Sequence, residues 1–168
     1  DGAAVSNVAR RGMGDTVHYA GDVNGDGRDD LLVGAPLSDD NGDDSGSVRL
    51  FLGHASNFSS GFTMVQTMAD ATYQGSAAEE EAGAAMTGLG DIDGDGYAEF
   101  AIGAPQAEYG SVYMMIDPPL TGTHRLSDTA DTTFYGQSVA EEAGVSLTGN
   151  LDLNHDGFSD LVIGASTV

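Results

Sequence analysis

Three acidic stretches carry the residues of this sequence that could do chemistry. Asp22-Val-Asn-Gly-Asp-Gly-Arg-Asp-Asp30 returns as Asp91-Ile-Asp-Gly-Asp-Gly-Tyr-Ala-Glu99 and as Asp152-Leu-Asn-His-Asp-Gly-Phe-Ser-Asp160. Oxygen-bearing side chains recur at position 1 (Asp22, Asp91, Asp152), position 3 (Asn24, Asp93, Asn154), position 5 (Asp26, Asp95, Asp156) and position 9 (Asp30, Glu99, Asp160). Gly27, Gly96 and Gly157 hold position 6, where a sharp turn lets the flanking oxygens converge. The backbone carbonyl at position 7 (Arg28, Tyr97, Phe158) completes an all-oxygen set. Such a set suits calcium, which takes six to eight oxygens in flexible geometry. Magnesium favours a smaller octahedral shell with retained water, and zinc wants Cys or clustered His.

One such stretch could equally be a plain turn. Three copies of one spacing, each running into an apolar segment, favour calcium, about three ions in all. The segments are Leu31–Pro36, Phe100–Pro105 and Leu161–Ser166. These are not EF-hands. There the bidentate acid stands at position 12, which here is Val33, Ile102 and Ile163. His155, where the other copies have Gly, reads as a solvated loop residue.

The elements that must position these loops repeat with them. The loops begin 69 and then 61 residues apart. Tyr73-Gln-Gly75 matches Phe134-Tyr-Gly136, Glu80-Glu-Ala-Gly83 matches Glu141-Glu-Ala-Gly144, and Gly14 takes the corresponding place in the first copy. Upstream of Gly14 the first copy is degenerate, with Arg10-Arg11 opposite the Glu pairs. Strands are expected at Val17–Ala20, Leu31–Val33, the alternating Ser47–Leu52, Phe62–Thr67, Ala84–Met86, Phe100–Ile102, Ser111–Ile116 and, weakly, His124–Leu126. The run 77–82 is bracketed too closely by Gly75 and Gly83 to form more than one helical turn. Four short antiparallel strands per unit make a propeller blade. The expected fold is therefore all-β, with about two and a half to three blades of a partial propeller. Residues 1–168 form one segment with approximate repeats 1–69, 70–130 and an incomplete 131–168.

The chain has 168 residues, 27 acids and 5 Arg, with a formal charge of −22. Nucleic acid is a poor partner, because phosphate binding needs a basic face. Three divalent ions would offset six of the 22 net negative charges, so a saline habitat or a solubility role accounts for the rest. The absence of Cys excludes disulfides, thiolate zinc sites and cysteine nucleophiles. No apolar run is long enough to cross a bilayer as a helix. The start at Asp1, without Met or a signal-like segment, reads as a processed product or an excised piece.

Gly90-Asp-Ile-Asp-Gly-Asp-Gly-Tyr-Ala-Glu-Phe-Ala-Ile-Gly-Ala-Pro105, followed by Gly110-Ser-Val-Tyr113, resembles the FG-GAP repeat of integrin α-subunit β-propellers and their bacterial relatives. The resemblance implies calcium loops linking the first and second strands of each blade, and an extracellular or cell-surface setting. It also implies adhesion or recognition of a protein or glycan ligand. The partner face would be the opposite one: Leu37–Ser45, Gln106–Tyr109, 76–82 and 137–143. The chain departs from the family in showing three loops and an incomplete ring, with the Phe-Gly element mostly missing.

Two other readings stand beside this one. The chain could be a structural subunit that completes its propeller against further blades or other copies, as a ring or filament; a strict monomer in calcium by light scattering counts against it. It could be the accessory propeller of a secreted hydrolase or lyase, which an attached catalytic domain in the parent sequence would reveal. No catalytic residue is expected here. Glu79–Glu81 and Glu141-Glu142 read as structural or surface groups, His18 as a strand residue facing the core or pore, and Asp39–Ser45 as a solvated connection. His54 and His124 are expected in loops.

Overall fold

A computed structural model of the chain describes residues 12–53, 68–138 and 141–166. The order of elements is β1 (Thr16–Gly21), β2 (Asp30–Ala35), β3 (Ser47–Phe51), β4 (Ala71–Gln74), β5 (Ala85–Gly90), β6 (Glu99–Ala104), β7 (Ser111–Met115), β8 (Gly122–Arg125), the one-turn helix α1 (Leu126–Thr129), β9 (Thr132–Tyr135), β10 (Ser146–Leu151) and β11 (Asp160–Gly164). They form three sheets of order β1-β2-β3-β4-β8, β5-β6-β7-β9 and β10-β11. The fold is all-β, a partial propeller of stacked blades.

The sheets repeat down to register. Thr16 pairs with Gly34, Ala85 with Gly103 and Ser146 with Gly164, and each inner pair breaks register just before its acidic loop. The amides of Gly14, Gly83 and Gly144 donate to Gly34, Gly103 and Gly164 at 2.9–3.0 Å, so the three glycines matched by sequence are structurally equivalent. The apolar run of β6 is wholly buried because the second sheet is covered on both faces. Phe100 and Ile102 join Leu32, Leu50 and Tyr73 of the first sheet in the larger core cluster. Ala101, one residue out of phase, faces Leu147, Leu161 and Ile163 of the third. The third sheet has two described strands and is open, leaving Leu151 and Val162 exposed.

Two expectations need correction. The strand near His124 exists but does not complete the second blade. It pairs parallel with β4 as a fifth strand of the first sheet, and the chain turns helical at Leu126. The second blade's fourth strand is β9, antiparallel to β7. Tyr73, Leu120 and Leu126 explain the difference. The connection 116–131 lies against the first sheet, with Leu126 fully buried and the Tyr73 hydroxyl donating to the Pro119 carbonyl at 2.9 Å. His124 is thus a strand residue, its Nε2 2.7 Å from the Thr121 carbonyl. The first blade's fourth strand is β4, antiparallel to β3. The expected strand at 62–67, His54 and Arg10-Arg11 lie outside the described residues.

Candidate metal centre

Each acidic stretch is the connection between the first and second strands of a sheet: β1 to β2, β5 to β6 and β10 to β11. All three therefore lie at the same end of the blades. Within each, side-chain oxygens gather the backbone amides of the turn. Asp22 accepts from the amides of Asp26 and Gly27, Asp91 from Gly94 and Gly96, and Asp152 from Asp156 and Gly157, at 2.7–3.1 Å. Position 3 accepts from position 5 (Asn24, Asp93, Asn154), and position 5 from position 7, where the Arg28, Tyr97 and Phe158 amides donate at 2.8–3.0 Å. The carboxylates and amide oxygens of positions 1, 3 and 5 are thus held by the turn itself. Gly25, Gly94 and His155 at position 4 all have positive φ, 71°, 84° and 62°. His155 is an exposed loop residue in a backbone conformation that Gly adopts without strain.

Position 9 has a structural role that its spacing alone does not reveal. Its carboxylate accepts the amide of position 2 in all three copies: Val23 to Asp30, Ile92 to Glu99 and Leu153 to Asp160, at 2.6–2.9 Å. The acid closes the loop onto the strand before any ion is considered. Asp30 is fully buried, and its other oxygen takes the Gly53 amide at 2.7 Å, tying the first loop to the end of β3. Burial raises the Asp30 pKa; the Gly53 and Val23 amides oppose the rise, and the charges of Asp22 and Asp26 add to it.

The second loop gives the most direct test of fit. The carboxylates of Asp91, Asp93 and Glu99 bring oxygens within 4.8 Å of one another. Glu99 is fully buried, and its Oε1 is without a hydrogen-bond partner. A buried carboxylate oxygen with no donor is costly. Burial drives the Glu99 pKa up to about 7 despite the Ile92 amide, with the charges of Asp93, Asp95 and Asp91 contributing. A divalent cation bound by oxygen ligands would satisfy the orphaned atom and neutralise the crowded acids together. In the first loop the Arg28 guanidinium lies 3.2 Å from Asp26 Oδ2, an exposed pair that an ion would have to compete with.

At the other end of the blades the connections are more ordered than their composition suggests. Asp39–Ser45 is not simply a solvated loop. Asp40 pairs with the buried Arg49 at 2.8 Å, Asn41 Nδ2 donates to the Gly75 carbonyl at 2.7 Å, and Ser45 is fully buried. Arg49 was not singled out in the sequence; a lone Arg within an alternating strand carries no signal of a buried partner. Glu80 and Glu141 are equivalent turn acceptors, for the amides of Ser76 and Gln137 at 2.7 Å each. A groove of about 550 Å³ opens here, lined by Ser76, Glu80, Glu108, Tyr109, Tyr113 and Tyr135 among others. His18 lies at the inner strands in a second, smaller cavity with Met86 and Leu147, its sequence equivalents.

The FG-GAP repeat model matches residues 19–51 and 82–115, in each case from the first strand through the acidic loop to the third strand. The chain carries FG-GAP repeats. It is 31% identical over 176 residues to integrin alpha-PS2 of Drosophila melanogaster, covering 97% of the chain and 12% of that protein. It is 34% identical to integrin alpha-IIb of Homo sapiens over 152 residues, and 33% to integrin alpha-5 of Xenopus laevis over 154, covering 86% and 87% of the chain and 14% of each relative. The chain thus spans about one-seventh of the relatives' length or less. Among the described residues no helix is long and apolar enough to cross a membrane.

Proposed function

We propose that this FG-GAP chain is a calcium-stabilised, non-enzymatic propeller segment of an extracellular or cell-surface protein, serving adhesion or recognition of a protein or glycan ligand. Calcium here is structural, about one ion per loop and three in all, held by the side chains at positions 1, 3, 5 and 9 and the carbonyl at position 7. The observation that carries the reading is the second loop: three carboxylates converge beside a buried Glu99 oxygen without a partner. The ligand side is supported by the integrin relatives and by the aromatic, acidic groove at the end of the blades away from the cation loops. Three tyrosines and two glutamates offer flat stacking surfaces and hydrogen-bond acceptors, which suit a polar ligand better than an apolar one.

A ligand that binds the folded state alone raises its stability by an amount set by its concentration over Kd. Calcium at a hundredfold excess over Kd for one site contributes about 2.7 kcal/mol. Thermal unfolding followed by circular dichroism is expected to show a melting temperature that climbs with calcium and falls back on chelation. Magnesium at equal concentration should have much less effect. An unchanged melting temperature across the calcium series would count against structural calcium.

A further inference from the structure

We propose that the first two loops bind calcium as a coupled pair while the third binds independently; this rests on the calcium reading above. The two loop-to-loop junctions differ. At the first junction, the Ala98 amide of the second loop donates to the carbonyl of Asp22, the position-1 residue of the first loop, at 2.9 Å. The Tyr97 ring lies over Gly25, where a methyl group would stand 2.7 Å from Tyr97 Cε1, and Ala98 packs equally closely on Gly21. Tyr97 and Ala98 immediately precede Glu99, so the segment that delivers the second loop's last two ligands also braces the first loop.

The second junction lacks this brace. Phe158 and Ser159 occupy the places of Tyr97 and Ala98. Beyond its chain neighbours, Gly94, the counterpart of Gly25, has nothing among the described residues within 4 Å of where a methyl would stand, so the Phe158 ring does not cover it as the Tyr97 ring covers Gly25. Among the described residues no backbone hydrogen bond joins Ser159 to Asp91. A methyl at Gly90, the counterpart of Gly21, would stand 3.1 Å from Asn150 Oδ1 and 3.8 Å from Ser159 Oγ, so Ser159 sits far more loosely against its neighbour than Ala98 does against Gly21.

Ordering of residues 97–99 by an ion in the second loop fixes both the donor to Asp22 and the ring over Gly25. The first loop then has less freedom to lose when its own ion binds, which is positive coupling through a shared ordered segment. Coupling of this kind is reciprocal, so an ion in the first loop favours the second by the same factor. The third loop shares no such segment and gains nothing from either.

The position-6 amides of Gly27, Gly96 and Gly157 report each loop separately in ¹⁵N NMR spectra of the whole chain as calcium is added. In the unaltered chain, Gly27 and Gly96 should respond over one calcium range. Asp93→Asn with Glu99→Gln should silence Gly96 and move the Gly27 midpoint about fivefold or more to higher calcium, leaving Gly157 in place. Tyr97→Ala keeps every side-chain ligand and should weaken Gly27 and Gly96 together, as reciprocity requires, leaving Gly157 in place. A Gly27 midpoint unchanged in both variants, or a Gly157 midpoint moving equally with it, would overturn the coupling while leaving calcium binding intact. Silence of all three amides would overturn the calcium reading and the coupling together.

Discussion

Gly103→Ala should destabilise the chain by on the order of 3 kcal/mol. Gly103 is buried in β6, where the added methyl would run into the backbone carbonyl of Gly144 and lie 3.3 Å from its Cα. Neither side can give way cheaply. The Gly144 amide is itself bonded to the Gly164 carbonyl at 3.0 Å, and Gly103 is paired to Ala85 and Val112 on its two flanks. The third sheet would have to lift off Ala101, Leu89 and Val112, exposing the smaller core cluster. Gly12→Ala is the control, since its methyl would have only the Asp15 side chain nearby, at 4.0 Å. Urea unfolding of both variants in calcium measures the difference. A Gly103→Ala midpoint close to that of the unaltered chain would show that the blades are not held at this backbone contact.

The second large effect is a pH dependence that calcium reverses. Glu99 has a pKa of about 7 in the ion-free fold against an ordinary value of 4.5. The folded state therefore holds its proton more tightly than the unfolded chain does. The stability from this group is fully present below about 4.5 and is lost as pH rises through about 7. Ion-free protein should accordingly lose stability between pH 5 and 8. Asp30, also raised by burial, acts in the same direction. Calcium needs the ionised carboxylate, so loading the second loop expels the Glu99 proton and its affinity climbs with pH over the same window. Glu99→Gln removes the titrating group. It should flatten much of the ion-free pH dependence and abolish calcium binding at the second loop. Denaturation in chelator at several pH values checks this, and an equally steep fall in Glu99→Gln would assign the effect to other acids.

Much of this architecture was legible because an acidic loop and the strand after it are local. Asp91 to Ile102 contains the whole spacing of oxygen-bearing residues, the turn glycine and the start of the buried strand within twelve residues. Gly83 and Gly144 aligned by sequence because each closes the same strand pair. What could not be read was contact between distant segments. Residues 122–125 and 132–135 are both four-residue strands, and nothing in either says that the first joins the preceding blade; that choice is made by Leu126 and Pro119 docking on the first sheet. Spacing alone marks the position-9 acids as closing ligands. Their bonds to the amides of Val23, Ile92 and Leu153 depend on how the register breaks before each loop, which composition does not encode. The Arg49–Asp40 pair and the Tyr97–Gly25 contact belong to the same class.

In the function proposed here, three loops of one spacing each hold a calcium ion as part of the fold. Isothermal titration of calcium into chelator-stripped protein tests it most directly. About three ions per chain should bind at neutral pH, one fewer in Glu99→Gln; no detectable calcium binding would rule out structural calcium.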